Sequence, residues 1–341
     1  MKKTLLLIIL GLAAMAVQAQ NAQVATLFYK NGLGNTETFY GDQALISALG
    51  KCNNGDVITL SGGAFQAPSE FNKSITVRGA GMKADPTLGT LPTVLVGDFR
   101  LTNNLYSGLS FEGIYHNGTI QYGTSLAPQF TKCRLNEIVS AVSNSKVTDA
   151  QFVHCKIAGQ LALGSQCTAT CVNCVVNNPT SFGVAFGTSI TYYGRFVFTN
   201  CVLYTNSPLI RSSAFTNCVV YDNLSNGEGV FHSSNVMNYN VGYSTGGLNI
   251  FPQTDTNFLF TTHDAFVSGL EITIDGEMDA LDYTLGRGRF FLGSDGTQVG
   301  IYGSALPYSE KITGPRITQA TVASETTNDG LLSVDITVSA K

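Results

Sequence analysis

The chain has 341 residues, of which 12% are charged, with a net charge of −4 and a pI near 5.5. Ordinary globular domains carry about 25% charged residues, so few amphipathic helices can be drawn from this composition, and no basic stripe marks a nucleic-acid surface. The 36 glycines, with abundant Asn, Ser and Thr, argue for many turns.

Lys2 and Lys3 precede an apolar stretch from Leu5 to Ala16, and Val17 and Ala19 supply small residues at a cleavage site. This is the pattern of a secretory signal peptide over residues 1–19, too short for a membrane span. It predicts an exported mature chain, placed in the periplasm, on the outer surface or outside the cell. No later apolar run is long enough to cross a bilayer. The 8 cysteines would suggest disulfides in an exported protein, but a chain of this size can build a core without them.

Asp42 to Leu49 predicts a short helix, with Asp42 as N-cap and Gly50 just past its end. Leu45, Ile46 and Leu49 share one face, suited to covering the end of a stack of strands. "NGDVITLSGGAF" then opens a series of short strands. "ITVRG" (75–79), "TVLVG" (93–97) and "LSFEG" (109–113) are its early members.

Further on the units become explicit. "FTKC" ends at Cys133, "FVHC" at Cys155, "CVNC" at Cys174, and "FTNC" at both Cys201 and Cys218. A period near 20 residues with insertions is the mark of a solenoid, and the alternating, β-branched runs make its units strands. On a straight strand Phe198 and Cys201 would face opposite sides. A bend at Asn200 turns both inward, and Asn tolerates the left-handed backbone such a bend needs. Stacked units then give Phe, Asn and Cys ladders about 4.8 Å apart. The fold class predicted is all-β, a parallel β-helix of about 9–10 coils with an N-terminal capping helix and a C-terminal β tail. The β-helix occupies 20–303. Residues 304–341 form a connector and tail, in which "GLLSVDITVSAK" alternates as a strand and "PRIT" with the polar stretch before that strand serves as linker.

"GDVITLSGGAF…ITVRGAG" resembles the opening of the pectate-lyase-like right-handed parallel β-helix superfamily. "LDYTLGRGRFFLGSDGTQVGIYG" (281–303) resembles its closing segment, where a G-x-D-G-x-x-x-G-x-Y element ends the last coil. With the FxNC units, the pattern is similar to uncharacterised exported β-helix proteins of Bacteroidetes. The resemblance implies a right-handed winding. It does not choose an activity, because the fold hosts lyases, hydrolases, adhesins and scaffolds.

A lyase of this type would imply Ca²⁺ held by several carboxylates, and calcium takes six to eight oxygen ligands. Between residues 99 and 254 the acids are Glu112, Glu137, Asp149, Asp222 and Glu228, dispersed in sequence. A glycosidase needs two facing carboxylates, which these could supply only through the register of the coils. His116, His154, His232 and His263 are equally scattered, and His154 takes the Asn slot of its unit, a turn position. Arg195 and Arg211 read as solvated loop charges. "CTATCVNC" has the C-x3-C-x2-C spacing of a cluster-binding motif, yet Cys174 belongs to the Cys ladder and Cys171 to the Phe slot. Only Cys167 is left over, to pair with Cys171 or to stay a thiol. No metal site and no cofactor is therefore expected, Ca²⁺ entering only with the lyase reading.

Tyr204 and Tyr221 fall at equivalent places in successive units and should point outward. Tyr192 and Tyr193 lie in the long insertion before Cys201. Outward aromatic rings on a stiff scaffold suit sugar rings. The four tyrosines are the candidate glycan-binding residues, and the predicted function is a non-catalytic glycan-binding protein of the surface or periplasm. The alternatives are a lyase or hydrolase acting on uronic-acid-containing polysaccharide and a structural or adhesive scaffold with protein partners. Oligomeric state is left open.

Overall fold

The computed structural model describes residues 23–30, 35–86, 89–101, 108–122, 127–140, 149–165, 167–181, 183–186, 189–205, 210–222, 234–244, 256–260, 283, 285, 291–312, 316–326 and 332–339. The expected signal peptide at 1–19 lies outside these residues, as do Glu228, His232 and His263. Among the described residues no helix is long and apolar enough to cross a membrane.

The chain is a parallel β-solenoid. Its first sheet has 11 strands, the first two antiparallel, and from Val57–Leu60 through Val236–Asn238 every pairing is parallel. The second sheet, of 14 strands, runs from Gly63–Gln66 to Phe258–Phe260. "ITVRG" and "LSFEG" lie in the first sheet and "TVLVG" in the second, so the early echoes mark two different faces.

The second sheet bends within a strand. Tyr115–Tyr122 pairs with Thr93–Val96 at its start and with Phe99–Leu101 at its end, with a register shift between His116 and Thr119. Gly118 sits at the bend, where a Cβ would lie 2.5 Å from the Gly97 carbonyl oxygen. Beyond the bend, Glu70–Phe71, Phe99–Leu101, Leu161–Leu163 and Pro179–Ser181 extend a short third face.

The interior is built from the predicted columns. Phe111, Phe130, Phe152, Cys171, Phe198, Phe215 and Met237 are in direct register. Phe111–Phe130 and Phe130–Phe152 stack at 5.1 and 5.2 Å, with interplanar angles of 8° and 4°. The bends fall one slot before the cysteines and, at the two ends of the column, before Ile114 and Asn240. Gly113, Lys132, His154, Asn173, Asn200, Asn217 and Tyr239 all have φ between 49° and 65°. Each turns the strand so that both flanking residues of the FxNC unit face inward, and Phe198 and Cys201 are fully buried.

The Cys column has one chemistry throughout. Each thiol donates to the carbonyl two residues earlier and, from Cys133 through Cys201, to the carbonyl of the Phe-slot residue one coil before. Asn240 and Asn257 continue the column. Their amides donate to the Phe215 and Met237 carbonyls at 3.0 and 2.8 Å. The Asn240 oxygen accepts from the Cys218 N–H at 2.9 Å. A buried polar side chain is tolerated here because both of its ends are bonded.

Several expectations need correction. Helix α1 spans Ala44–Lys51, with Gln43 at its N-cap and no side-chain cap. Asp42 stays in the preceding turn, where its carbonyl accepts from Gln66 N–H, and Gly50 is inside the helix. The buried face is Ala44, Leu45, Ala48 and Leu49, while Ile46 is 37% exposed. The i, i+1, i+4, i+5 spacing of those four selects this face. Lys73 Nζ donates to the Leu49 and Cys52 carbonyls at the helix C-terminus, where cations are favoured.

Ahead of α1, Val24–Phe28 and Thr36–Tyr40 form an antiparallel hairpin whose first strand pairs antiparallel with Val57–Leu60. It covers an edge that would otherwise be open for pairing with other chains. At the C-terminus the polar stretch expected as linker is a strand over Arg316–Thr326, paired antiparallel with Leu332–Ser339. Its β-branched Ile, Thr and Val residues fit a pleated surface. The segment "GSDGTQVGIYG" does not extend the second sheet beyond its last strand. Residues 291–312 run back along the outside of the solenoid as a strap.

Candidate functional site

The strap follows the column of bends. Its turn is closed by Gly293 N–H to Thr297 carbonyl at 2.7 Å and by Asp295 Oδ1, which accepts from Thr297 N–H and Oγ1. Burial alone would raise the Asp295 carboxyl, but donors from Thr297 and Asn200 outweigh it and hold it below the usual range. From there the strap descends. Ser294 N–H donates to Asn217 Oδ1 at 2.8 Å, and Asn173 Nδ2 donates to the Ile301 and Gly303 carbonyls at 2.9 and 3.1 Å. His154 Nε2 meets the Leu306 carbonyl at 3.2 Å. Lys132 Nζ bonds the Lys311 carbonyl. Ile312 lies over Gly113, where a Cβ would overlap its Cδ1. The bend residues thus do two jobs: they turn the coil and they hold the strap by its backbone.

The strap's upper half is apolar. Val299 and Ile301 join Val175, Val202, Val219, Val241, Tyr204 and Tyr283 in a second buried cluster outside the solenoid core. Its lower half is polar. Glu310 pairs with Lys156 at 2.6 Å and faces Lys83 at 3.9 Å, and the Tyr308 hydroxyl donates to the same carboxylate at 3.3 Å. The Lys156 side chain is almost fully buried, so this pair is shielded from solvent on its basic side.

This arrangement decides the fate of the tyrosine platform. Tyr204 and Tyr221 are in register as expected, with ring centroids 5.8 Å apart. Both face outward from the coil, but Tyr204 is only 6% exposed beneath the strap cluster and Tyr221 packs against it half-buried. The expectation of an open stacking surface at Tyr204 is therefore corrected: Tyr204 is buried in the cluster that also holds the strap's Val299 and Ile301. Burial raises the Tyr204 hydroxyl well above its ordinary pKa.

Tyr192 and Tyr193 end a hairpin, Gly183–Phe186 with Ser189–Tyr193, that is inserted before Arg195–Thr199. One residue, Gly194, separates Tyr193 from the first sheet, so the insertion opens directly onto that sheet. Arg195 is the first residue of its strand rather than a loop charge, and its Nε donates to the Ser212 carbonyl at 3.2 Å.

The acids fall on different faces. Glu112 pairs with Arg78 at 3.1 Å on the first sheet. Glu137 accepts from Thr119 Oγ1 at 2.8 Å beside the bend of the second sheet, and Asp149 accepts from Thr168 Oγ1 at 2.9 Å. A further carboxylate, not marked by any sequence pattern, is Asp98, whose Oδ1 accepts from Thr119 N–H at 2.8 Å. Thr119 thus links Asp98 and Glu137 across three successive coils. Among the described residues no group of three His, Cys, Asp or Glu side chains is placed to hold a metal ion.

The "CTATCVNC" segment reads as its register suggested. Cys171 lies between Phe152 and Phe198 in the Phe slot. All eight cysteines are buried thiols with no disulfide, Cys167 and Cys171 included. Burial pushes the Cys133, Cys155, Cys171, Cys174 and Cys201 thiols well up, away from the thiolate that reacts or binds metal. His116 is a core residue, its ring 4.7 Å from Phe99 and its Nε2 2.9 Å from the Gly97 carbonyl. Burial lowers its pKa.

Among the described residues, none is packed over the outward face of the first sheet as the strap is over the second. Thr76, Ser110, Gln129, Gln151 and Thr170 stand in one register column, and Gln129 and Gln151 are exposed. The column continues as Val197, Ala214 and Val236, with Val197 42% and Val236 60% exposed. The result is a straight row of hydroxyl and amide groups at the sheet's spacing of about 4.8 Å, ending in an apolar stretch.

The class defined by this architecture is the parallel β-solenoid. Compared with known proteins, the chain matches no family model, no curated protein and no solved structure, so the pectate-lyase-like resemblance rests on its motifs alone.

Proposed function

We propose that this is an exported, non-catalytic protein that binds an extended polysaccharide along the outward face of its first sheet. The observation that carries the reading is the in-register row from Thr76 through Thr170, with Gln129 and Gln151 exposed at its centre and the other three half-buried. Hydroxyl and amide side chains both donate and accept, which suits the hydroxyls of a sugar polymer. A linear row suits an extended chain better than a compact ligand. Tyr192 and Tyr193, on the insertion that leads into this sheet, are the aromatic residues proposed to stack on sugar rings at its rim. Tyr204 and Tyr221 serve the strap instead. Two acids flank the row, Glu112 paired with Arg78 and Asp149 accepting from Thr168, and the row itself carries no cation for a uronate, so neutral polymers are preferred over uronate-rich ones. The reading takes the winding as right-handed, as parallel strands joined by a crossover overwhelmingly are.

The test is affinity electrophoresis of the mature chain through neutral and uronic-acid polysaccharides, with and without Ca²⁺, while following the ultraviolet absorbance of unsaturated products. Retardation by a neutral polymer, lost in a Gln129→Ala/Gln151→Ala/Thr170→Ala variant that folds normally, is the expected result. Retardation unchanged in that variant would refute the face. Calcium-dependent unsaturated product would make the protein a lyase, and no interaction with any polymer would leave the scaffold reading.

A further inference from the structure

The strap is held by two different chemistries. Residues 299–301 are anchored by apolar burial, with Val299 1% and Ile301 0% exposed. Residues 304–312 are held by polar contacts: Ser304 Oγ to Asn173 Oδ1 at 3.3 Å, Leu306 carbonyl to His154, Glu310 to Lys156, and Lys311 carbonyl to Lys132. Leu306 itself is 75% exposed, and the apolar contacts of this half come from Tyr308, packed half-buried against the second cluster, and from Ile312 over Gly113.

Within the column of bends, His154 is the member that titrates near neutrality. The equivalent Asn173, one coil on, donates to strap carbonyls at any pH. His154 donates one ring N–H to the Leu306 carbonyl, and its Nδ1 is buried with no hydrogen-bond partner. That fixes the neutral tautomer with the proton on Nε2. A second proton would place a charge, and an N–H at a buried atom that makes no hydrogen bond in the docked state, beside the Lys132 ammonium. The charged groups around the ring do not offset this. Lys132 lies one coil before, Lys156 lies two residues along and is already paired with Glu310, and Tyr308 presents its ring at 6.0 Å. The Ser309 carbonyl is the other strap acceptor nearby. Burial, with Lys132 adding to it, lowers the pKa of His154 from its ordinary 6.5 against the pull of the Leu306 and Ser309 carbonyls.

We propose that residues 304–312 are a pH-sensitive latch, docked while His154 is neutral and released when its ring takes a second proton, which uncovers Lys132 and Lys156. Both lysines are under 10% exposed when the latch is closed, Lys132 at 7% and Lys156 at 3%. The sign comes from linkage. A histidine whose pKa is lower in the docked state favours docking fully above about pH 6.5 and loses that contribution as the pH falls below it. The anchored segment 299–301 does not depend on His154 and stays in place, so release is a local opening and not unfolding.

The experiment is hydrogen exchange on the full mature chain at pH 7.5 and pH 5.5, corrected for intrinsic rates. Peptides covering 304–312 should lose protection several-fold at the lower pH, with about tenfold as the ceiling for one histidine of ordinary pKa near 6.5, while those covering 291–302 and the core strand Arg195–Thr199 keep theirs. The His154→Asn variant uses the residue that already serves at Asn173, Asn200 and Asn217, and it should be equally protected at both values. In the wild-type chain the midpoint of the change must coincide with the ring titration of His154 followed by NMR, which decides the matter even if the variant folds poorly. Equal protection of 304–312 at both pH values, a midpoint unrelated to His154, or the same pH dependence in His154→Asn would each overturn the latch.

Discussion

Cys171 interrupts the Phe column, and Cys171→Phe asks whether the column is limited by its repeat or by its space. By repeat logic alone the new ring would stack on Phe152 and Phe198, gaining about 0.5–1.5 kcal/mol for each aromatic pair. The tertiary surroundings point the other way. Phe196 lies in register with Ala169, two residues from Cys171, and stacks on Phe198 at 5.0 Å. Tyr122 reaches the same region, close to Cys167 and Cys171, and donates to the Ala162 carbonyl. All are fully buried, so a phenylalanine at 171 would compete with Phe196 and Tyr122 for the same interior. Overpacking of this kind costs about 1–3 kcal/mol, and we expect Cys171→Phe to lower stability by that amount in urea unfolding, with the slope unchanged.

The compensating change is Phe196→Ala, which alone should cost about 3–5 kcal/mol through the cavity it leaves. In the double variant the ring at 171 refills part of that cavity. The cycle should therefore show a favourable coupling above about 1 kcal/mol, within the range found for residues in contact. A more stable Cys171→Phe, or a coupling near zero, would show that Phe196 and Tyr122 do not occupy the space assigned to them.

The columns can be probed in three further ways. Asn240→Ala removes the acceptor of the buried Cys218 N–H and one of the donors to the Phe215 carbonyl and should cost about 1–3 kcal/mol, the range for one orphaned buried group. Asn240→Cys, which installs the residue of five other coils, should cost clearly less in the same denaturation assay. Gly113→Ala introduces a side chain at φ 65° against Ile312. It should lose about 1–2 kcal/mol from the backbone conformation alone, with an additional loss from the clash that Ile312→Ala recovers. A thiol titration of the denatured, unreduced protein should return all 8 cysteines as thiols, and a lower count would contradict the buried column.

The repeat was legible because every coil states it again. Phe198, Asn200 and Cys201 define one unit, and Phe215, Asn217 and Cys218 repeat it, so the bend, the inward pair and the register could be read from spacing before any contact was known. The same regularity assigned Cys171 and Cys174 to packing and removed the apparent cluster motif. The helix near residue 44 was legible as an element but not in its limits. Asp42 looked like a cap, yet its carbonyl is used by Gln66, a partner set by tertiary contact. Asp98 was not legible because its link to Glu137 runs through Thr119 on the coil between them, and register across three coils has no local mark in the chain.

Composition and periodicity by themselves determined that this chain winds into stacked parallel strands with ladders of Phe, Asn and Cys. Those features depend on neighbours a fixed distance away in sequence. Only the tertiary structure decided what covers the outside. Asn173 reaches strap carbonyls 128 and 130 residues later, and Lys132 reaches one 179 residues later. Those acceptors are backbone groups, which every residue carries, so nothing in the sequence distinguishes them. That is the physical reason the outward tyrosines were visible in the chain while the strap over the cluster that buries Tyr204 was not.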